Sequence, residues 1–391
     1  MISVAVAEAL FWISLFMIFY AYFGYPLLLW VISRLSKESG GAYRIGGDEE
    51  KPPGLSLLIS AYNEEAVIEE KILNSLSLNY PKDLLEIVVV SDGSTDTTQK
   101  IVERYADQGV ILKHFGGRIG KTACLNQTVP HIRGSVIVFS DANSQYDRDA
   151  VKELAKHFAD EKVGFVTGWT RYLSGENRET VDSLGIYARI ELWTKALESK
   201  IGSCVGADGA IFAIRKELYR PLRPQDINDF VIPLKISQQR YKGLLEKNAF
   251  CFEKGAGEGK GEFLRQVRIT NRTIRAIFSN ARLLNPFHYG LFSFELFSHK
   301  ICRFLVPFFL LFAAVINFIL MGKGPLYIVG FGLQVLLYFL ACVSGGGRNV
   351  KYLAGLTSLL HTFVLVNAAV FWAWVTYLQG KTFTTWAPTQ R

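Results

Sequence analysis

The sequence predicts an α/β chain: a doubly wound, mainly parallel sheet in a polar middle segment, flanked by transmembrane α-helices. Three observations predict it. Short apolar, β-branched runs alternate with stretches of helical periodicity between residues 55 and 167, the pattern of strand–helix–strand units. Loops dense in carboxylates and turn formers follow three of those runs, where doubly wound sheets hold their ligands. Four long stretches near the two ends carry no charge.

The first of these, Ala9 to Ser33, has 25 residues, and a bilayer span needs about 20. No basic segment precedes it, Glu8 stands early, and its length exceeds the apolar part of a cleaved signal, so it reads as a permanent anchor over residues 1–34. Arg34 and Lys37 behind it put its C-terminal end in the cytoplasm. Residues 35–53 are a Gly- and charge-rich linker ending at Pro52-Pro53.

Leu55–Ser60 reads as a strand and Val67–Leu78 as a helix, with Ile68, Ile72 and Leu76 on one face. Glu86–Val90 is a strand, Asp96–Gln108 a helix, and Val110–Lys113 and Val136–Phe139 two more strands. A helix from Asp149 carries Val151, Leu154 and Phe158, and Val163–Thr167 is a further strand. The sheet domain is expected over 54–284, on the cytoplasmic side. Phe287–Lys300, aromatic with scattered polar residues, reads as an interfacial amphipathic helix within 285–300. Phe304 to Gly322 (19 residues), Gly324 to Gly347 (24) and Tyr352 to Gly380 (29) are three spans within 301–380, and 381–391 is a tail. Arg348 and Lys351, between the last two spans, agree with the orientation of the first.

Composition narrows the function classes. Half of the 391 residues are hydrophobic, too many for an ordinary soluble enzyme. The net charge of +8 then points to membrane lipids with anionic headgroups as a partner. Aromatic and basic residues are not interleaved as in an RNA-binding face, so no nucleic acid partner is read. The five cysteines are odd in number, scattered and form no C-x-x-C pair, which supports neither a zinc site nor a disulfide framework. Gly116-Gly117-Arg118-Ile119-Gly120-Lys121-Thr122 approaches a P-loop, but Phe115 stands where the first glycine is needed, and no ATPase is read.

The strand-end loops carry the chemistry. Asp92 follows Ile87–Val90 after a single serine, where a carboxylate accepts from a base N–H or a ribose hydroxyl; Ser94 and Asp96 beyond it suit helix caps. Asp141 and Asn143 stand at i and i+2 past a strand, and two such oxygens plus two substrate phosphate oxygens suit Mg²⁺ or Mn²⁺. Lys121 on its Gly-flanked loop fits a phosphate or base contact. Asp226 and Asp229, three apart, are alternative general bases. Arg265, Arg268, Arg272, Arg275 and Arg282 fall on one face of a single helix; the first two reach toward a diphosphate, the later three toward lipid headgroups.

Taken in order, these segments resemble the membrane-bound inverting glycosyltransferases of family 2, the group of the cellulose, chitin, hyaluronan and poly-N-acetylglucosamine synthases. The resemblance covers about residues 55–275 and the flanking spans. It implies a GT-A type, Rossmann-like mixed sheet. Ala61-Tyr62-Asn63-Glu64-Glu65 looks like the family's opening nucleotide loop, which makes Ala61, Tyr62 and Glu64 donor contacts beside Asp92, Lys121, Asp141, Arg265 and Arg268. Gly120-Lys121-Thr122-Ala123-Cys124-Leu125-Asn126 is similar to its Gly-Lys-x-x-Ala-Leu-Asn segment, with Cys124 for Ala. Asp141-Ala142-Asn143 takes the metal site, and Gly206, Ala207 and Asp208 open the acceptor-side loop. Asn228-Asp229 stands for a Glu-Asp pair, which favours Asp229 over Asp226 as the base. The chain departs from the group at Asn143, at Asn228, and at Arg265-Gln266-Val267-Arg268-Ile269, where the processive members have Gln-x-x-Arg-Trp.

The resemblance implies an enzyme that transfers a sugar from a nucleotide-diphosphate donor, a UDP-sugar first, to a growing polysaccharide. The alternative is one transfer to a lipid or lipid-linked acceptor, and a third reading is a non-catalytic membrane subunit or transporter. Expected partners are the donor, a glycan or lipid-linked acceptor, membrane lipids and, for polymer export, an export partner or a second copy of the chain. The expected location is a bacterial inner membrane, with the catalytic domain cytoplasmic.

Overall fold

The computed structural model describes residues 3–35, 51–173, 186–254, 260–345 and 354–383. Most of the linker expected at 35–53, the Arg348–Lys351 loop and the tail from 384 lie outside the described residues. Two compact units share the chain. One gathers Met1–Leu28, Gly257–Ile274 and Ser293–Thr382, the other Leu29–Ala256, Arg275–Phe292 and Phe383–Arg391.

The chain opens with α1 (Val4–Phe19), a π-helical turn over Tyr20–Gly24 and α2 (Tyr25–Leu35), which run on as one apolar helix of 32 residues. It extends beyond the uncharged stretch Ala9–Ser33 at both ends. Ser3 caps it, its Oγ accepting from the Val6 N–H.

The sheet unit follows as β1 (Leu55–Ala61), α3 (Ile68–Leu76), β2 (Leu85–Ser91), α4 (Thr98–Glu103), β3 (Val110–His114), α5 (Lys121–Thr128), β4 (Val136–Asp141) and β5 (Gln145–Tyr146). It continues with α6 (Ala150–Ala155), β6 (Val163–Leu173), α7 (Ile186–Ile201), β7 (Ile211–Arg215), α8 (Asn228–Gln238) and β8 (Lys242–Lys254). The strands form one sheet in the order β3-β2-β1-β4-β7-β6-β8-β5. β3, β2, β1 and β4 are mutually parallel. β7 is antiparallel to both β4 and β6, β8 is parallel to β6, and β5 is antiparallel to β8. The sheet is thus mixed, with its parallel half where strand–helix alternation is clearest.

All seven residues of β1 and of β2 are buried, as expected of central parallel strands covered on both faces. Leu57, Ile59, Val89 and Val138 pack under Ile68, Ile72, Val102 and Leu154 in the main core. The helix expected over Asp96–Gln108 is shorter. α4 stops at Glu103, and a 3₁₀ turn over Ala106–Gln108 is closed by Gly109 at φ +84°.

α9 (Lys260–Ser279) carries Arg265, Arg268, Arg272 and Arg275. Arg282 is not on it. Asn280 leaves the helical region at φ −118°, ψ 29°, and Arg282 falls in a separate 3₁₀ turn over Ala281–Leu284. The helix expected at 285–300 is also divided. α10 (Pro286–Tyr289) ends at Gly290, whose φ of +53° no helix continues through. α11 (Leu291–Leu296), a second π turn (Phe297–Ile301) and α12 (Cys302–Leu320) then form a continuous apolar helix. α13 (Pro325–Gly345) and α14 (Ala354–Leu378) complete the chain.

Among the described residues four helical stretches are long and apolar enough to cross a membrane: Val4–Leu35, Leu291–Lys323, Pro325–Val343 and Leu359–Leu378. Phe16, Ile319, Leu333 and Phe339 on them are exposed, as lipid-facing side chains are. Polar contacts join them within their unit. Tyr20 and Ser298 share a hydrogen bond of 2.8 Å, Asn367 Nδ2 donates to Tyr22 Oη at 3.0 Å, and Trp374 Nε1 donates to the Phe304 carbonyl at 2.9 Å.

Candidate functional site

Strand register gathers the site. Ala61 lies opposite Ser91, Ser60 opposite Asp141, and Ser140 opposite Ile211. The C-terminal ends of β1, β2 and β4 and the N-terminal end of β7 therefore share one edge of the sheet. The loops at 62–65, 92–98, 141–144 and 206–210 leave from that edge, where ligands of such sheets bind.

Asp92 is buried directly past β2, and its own N–H donates to the Ala61 carbonyl at 3.0 Å. Its Oδ1 accepts from the N–H groups of Ile119 and Gly120, both at 2.8 Å, and from Cys124 Sγ at 3.4 Å. Asp92 thus orders the glycine loop ahead of α5, and among the described residues Oδ2 takes no hydrogen bond. Gly93, at φ +67°, lets the two loops cross. A Cβ there would stand 2.5 Å from the Gly117 carbonyl carbon. The Arg118 guanidinium lies over the Tyr62 ring, 4.0 Å from its centroid.

The first two loops are stitched together. Thr95 N–H donates to Asn63 Oδ1 at 2.8 Å, Glu64 N–H to Thr98 Oγ1 at 2.9 Å, and Thr97 Oγ1 to Glu65 Oε2 at 2.6 Å. Asp96 Oδ1 accepts from the Thr98 N–H at 3.0 Å from one residue ahead of Thr97, which is the cap position of α4, and Ser94 Oγ accepts from the Asn63 N–H at 3.1 Å rather than capping the helix.

Lys121 opens α5, and its Nζ lies 2.6 Å from Asp141 Oδ1 at the end of β4. Asn143 Nδ2 is buried and has no hydrogen bond among the described residues. One carboxylate and one amide oxygen are few ligands, and no cluster of three His, Cys, Asp or Glu forms among the described residues. Such a pair fits a hard cation that completes its shell with diphosphate and water.

Beneath that turn lies a residue the sequence did not single out. Lys71 of α3 is fully buried, donates to the Ser144 carbonyl at 2.5 Å and lies 3.8 Å from the Tyr146 ring centroid. Its signal in the sequence is a charge on the apolar face of α3, among Ile68, Ile72 and Ser75.

The loop before β7 meets the start of α8. The Ala207 N–H donates to the Asp229 carbonyl at 2.8 Å, and a Cβ on Gly209 would come within 2.7 Å of Asp229 Oδ2. Glycine thus brings the backbone against this carboxylate. Asp226 does something else: its Oδ2 accepts from the Arg223 N–H at 2.8 Å and closes the turn ahead of α8. Asn228 Nδ2 is buried and has no hydrogen bond among the described residues.

The Asp208 carboxylate is engaged inside the protein, accepting from the Thr170 N–H and Oγ1 at 3.0 and 2.9 Å and from the Ala210 N–H at 3.0 Å. Burial raises its pKa, against the pull of Lys195 and these hydrogen bonds. Its place is to shape the loop. Gly206, at φ +96°, packs against the Phe230 ring. Arg265 and Arg268 belong to the other unit, where Arg265 Nη1 pairs with Glu262 at 3.3 Å.

Residues 56–223 match the model of the Glycosyl transferase family 2. The chain is 35% identical over 118 residues to a beta-monoglucosyldiacylglycerol synthase of Nostoc sp., covering 29% of this chain and 25% of that one. It is 32% identical over 117 residues to the poly-beta-1,6-N-acetyl-D-glucosamine synthase of Staphylococcus aureus (strain COL), covering 29% and 28%. The alignments span less than a third of these curated relatives. A solved mannosyltransferase, PcManGT from Pyrobaculum calidifontis in complex with GDP-Man and Mn²⁺, is similar at a TM-score of 0.69 and 24% identity, over 95% of this chain and 99% of that one. That likeness concerns the fold, a mixed sheet of GT-A type in a Rossmann-like arrangement.

Proposed function

We infer that this chain, which carries a glycosyl transferase family 2 domain over residues 56–223, transfers a sugar from a nucleotide-diphosphate donor to an acceptor at a membrane. The observation that carries this reading is the strand register that puts Asp92, Asp141 and the Gly206–Ala210 loop, with Asp229 against it, on one sheet edge.

Asp92, through Oδ2, and the Ala61–Glu64 loop hold the nucleoside. Lys121 leaves Asp141 for the diphosphate as the donor enters. Asp141 and Asn143 hold Mg²⁺ or Mn²⁺, which when bound offsets the charge developing on the departing diphosphate. The acceptor hydroxyl oxygen attacks the anomeric carbon, the bond to the diphosphate oxygen breaks, and the hydroxyl proton passes to the Asp229 carboxylate. Attack from the face opposite the leaving group inverts the centre. Gly206, Ala207 and Asp208 line the acceptor side through their backbone, and Arg265 and Arg268 are assigned to the diphosphate on the sequence pattern alone. The similar mannosyltransferase carries GDP-Man and Mn²⁺, in keeping with this donor class and cation.

The acceptor is a growing glycan in the first reading, in line with the poly-N-acetylglucosamine synthase relative. A second reading, one transfer to a lipid or lipid-linked acceptor, is favoured by Ile269, which stands where processive members carry Trp, and by the beta-monoglucosyldiacylglycerol synthase relative. Arg34 at the end of the first apolar helix supports a cytoplasmic sheet unit.

The test is release of nucleoside diphosphate by the purified chain in lipid nanodiscs, with Mn²⁺ or Mg²⁺, a panel of nucleotide sugars and lipid extract as acceptor. Release from one donor, abolished in Asp229→Asn while donor binding persists, is the expected result. No release from any donor would favour the non-catalytic reading.

A further inference from the structure

We propose that Lys71 is a positioning residue for the metal–diphosphate site, its ammonium setting from beneath the direction in which Asp141 and Asn143 present their oxygens. This rests on the transferase reading above.

A lysine with no exposed surface is rare, because burying an ammonium is costly unless its protons find partners. Lys71 has two: the Ser144 carbonyl at 2.5 Å and the face of Tyr146 at 3.8 Å. Burial brings its pKa down to about 7, opposed by Cys251, Asp141 and Glu253, the titratable groups that face it.

Ser144 closes the turn that begins at Asp141, and Tyr146 lies in β5 directly after it. The same turn is held at three further points. Asn74, one helical turn beyond Lys71, donates to the Tyr146 carbonyl at 2.9 Å and accepts from the Tyr146 N–H at 2.8 Å. Ser144 Oγ donates to Glu253 Oε1 at 2.5 Å. Tyr146 Oη donates to the carbonyls of Phe139 in β4, at 3.0 Å, and of Ala210, at 2.9 Å.

Asp141 and Asn143 are thus suspended between a fixed strand and a fixed Ser144, and only two residues separate Ser144 from Asp141. Without the lysine donor the Ser144 carbonyl, buried on this side, loses its partner and the turn rotates to find another. That rotation moves both cation-facing oxygens together. Partners that orient ligands in this way typically change metal affinity about 10–100-fold when removed.

The test uses the full chain in nanodiscs and the variant Lys71→Met, which keeps length and bulk but removes the donor. Mn²⁺ binding in the presence of UDP or GDP is followed by the ion's electron paramagnetic resonance, alongside the Mn²⁺ dependence of nucleoside diphosphate release. The expected result is a rise of about tenfold or more in the half-saturating Mn²⁺ concentration in both readouts. Asn74→Leu, which frees the same turn from a half-buried position, is expected to shift Mn²⁺ binding in the same direction and decides the matter if Lys71→Met does not fold. Wild-type Mn²⁺ binding in the folded variants overturns the role of Lys71 and leaves the transferase reading standing. A wild-type chain that binds no Mn²⁺ with either nucleotide overturns the metal assignment itself, and the role of Lys71 with it.

Discussion

Lys121 Nζ lies 2.6 Å from Asp141 Oδ1, so a fixed cation already neutralises the carboxylate assigned to a divalent one. Both side chains are partly exposed, and a pair of that kind is worth about 0.2–1 kcal/mol. Lys121→Ala is therefore expected to tighten Mn²⁺ binding in the absence of nucleotide by no more than about fivefold. Donor turnover should fall, since the diphosphate loses a contact. Calorimetric titration with Mn²⁺ alone, set beside donor turnover, separates the two effects. Weaker Mn²⁺ binding would mean that Lys121 orders Asp141 rather than competing for it.

As the proposed second ligand, Asn143 has an amide oxygen but no charge to offer. Asn143→Asp is expected to strengthen Mn²⁺ binding by about tenfold, because carboxylate count tunes the affinity of oxygen sites. The half-saturating Mn²⁺ concentration is the measurement. An unchanged value would reduce Asn143 to a turn residue.

Gly209 touches Asp229 as no other residue type can. In Gly209→Ala the new Cβ would stand 2.7 Å from Asp229 Oδ2, so the carboxylate must move. Misplacing a catalytic group by about 1 Å costs about 100-fold in rate. The expected outcome is a loss of kcat of that order with an unchanged Mn²⁺ dependence. Gly116→Ala, where nothing lies within 4 Å of the added carbon, serves as the control.

Glu246 links β8 to the turn after α6. Burial would raise its pKa, but hydrogen bonds from His157 Nε2 at 2.6 Å and the Asn248 N–H at 2.8 Å, with the Lys156 charge, bring it down to about 2. A carboxyl depressed on folding stabilises above its ordinary pKa of 4.5, and that stability is lost as pH falls toward 2. Glu246→Gln is expected to destabilise the sheet unit by about 1.5–3 kcal/mol at pH 7. The gap in Tm between variant and wild type should narrow between pH 4.5 and 2, and thermal unfolding across that range checks it.

The parallel half of the sheet is legible in the sequence because β1, β2 and β4 are largely buried on both faces and read as mainly apolar runs, broken only by Ser56, Ser60, Glu86 and the polar strand ends. β8 is not, since its 13 residues include Lys242, Glu246, Lys247, Glu253 and Lys254 and the strand lies near the sheet margin. β5 has two residues, too few for any periodicity. In the site, Asp92, Lys121 and Asp141 are legible because each follows a strand or a glycine turn. Spacing alone leaves Asp226 and Asp229 equivalent; the turn-closing contact of Asp226 with the Arg223 N–H depends on the fold and has no sequence signal of its own. The inward commitment of Asp208 depends on Thr170, which lies 38 residues away, and Lys71 meets Ser144 across 73 residues. Contacts of that range leave no local pattern.

The π turns at Tyr20–Gly24 and Phe297–Ile301, joined by the Tyr20–Ser298 hydrogen bond, make helix length matter more than composition. A π turn holds one residue more than the α turns beside it, so whatever follows is rotated by about 100° relative to an unbroken α-helix. Tyr25 owes its place against Phe294 and His299 to that rotation. A chain one residue shorter between Phe19 and Tyr25 would regain regular α geometry and lose this pairing. At these positions apolar substitutions should be tolerated in evolution, whereas single-residue deletions should not, because a deletion re-aims every side chain beyond it.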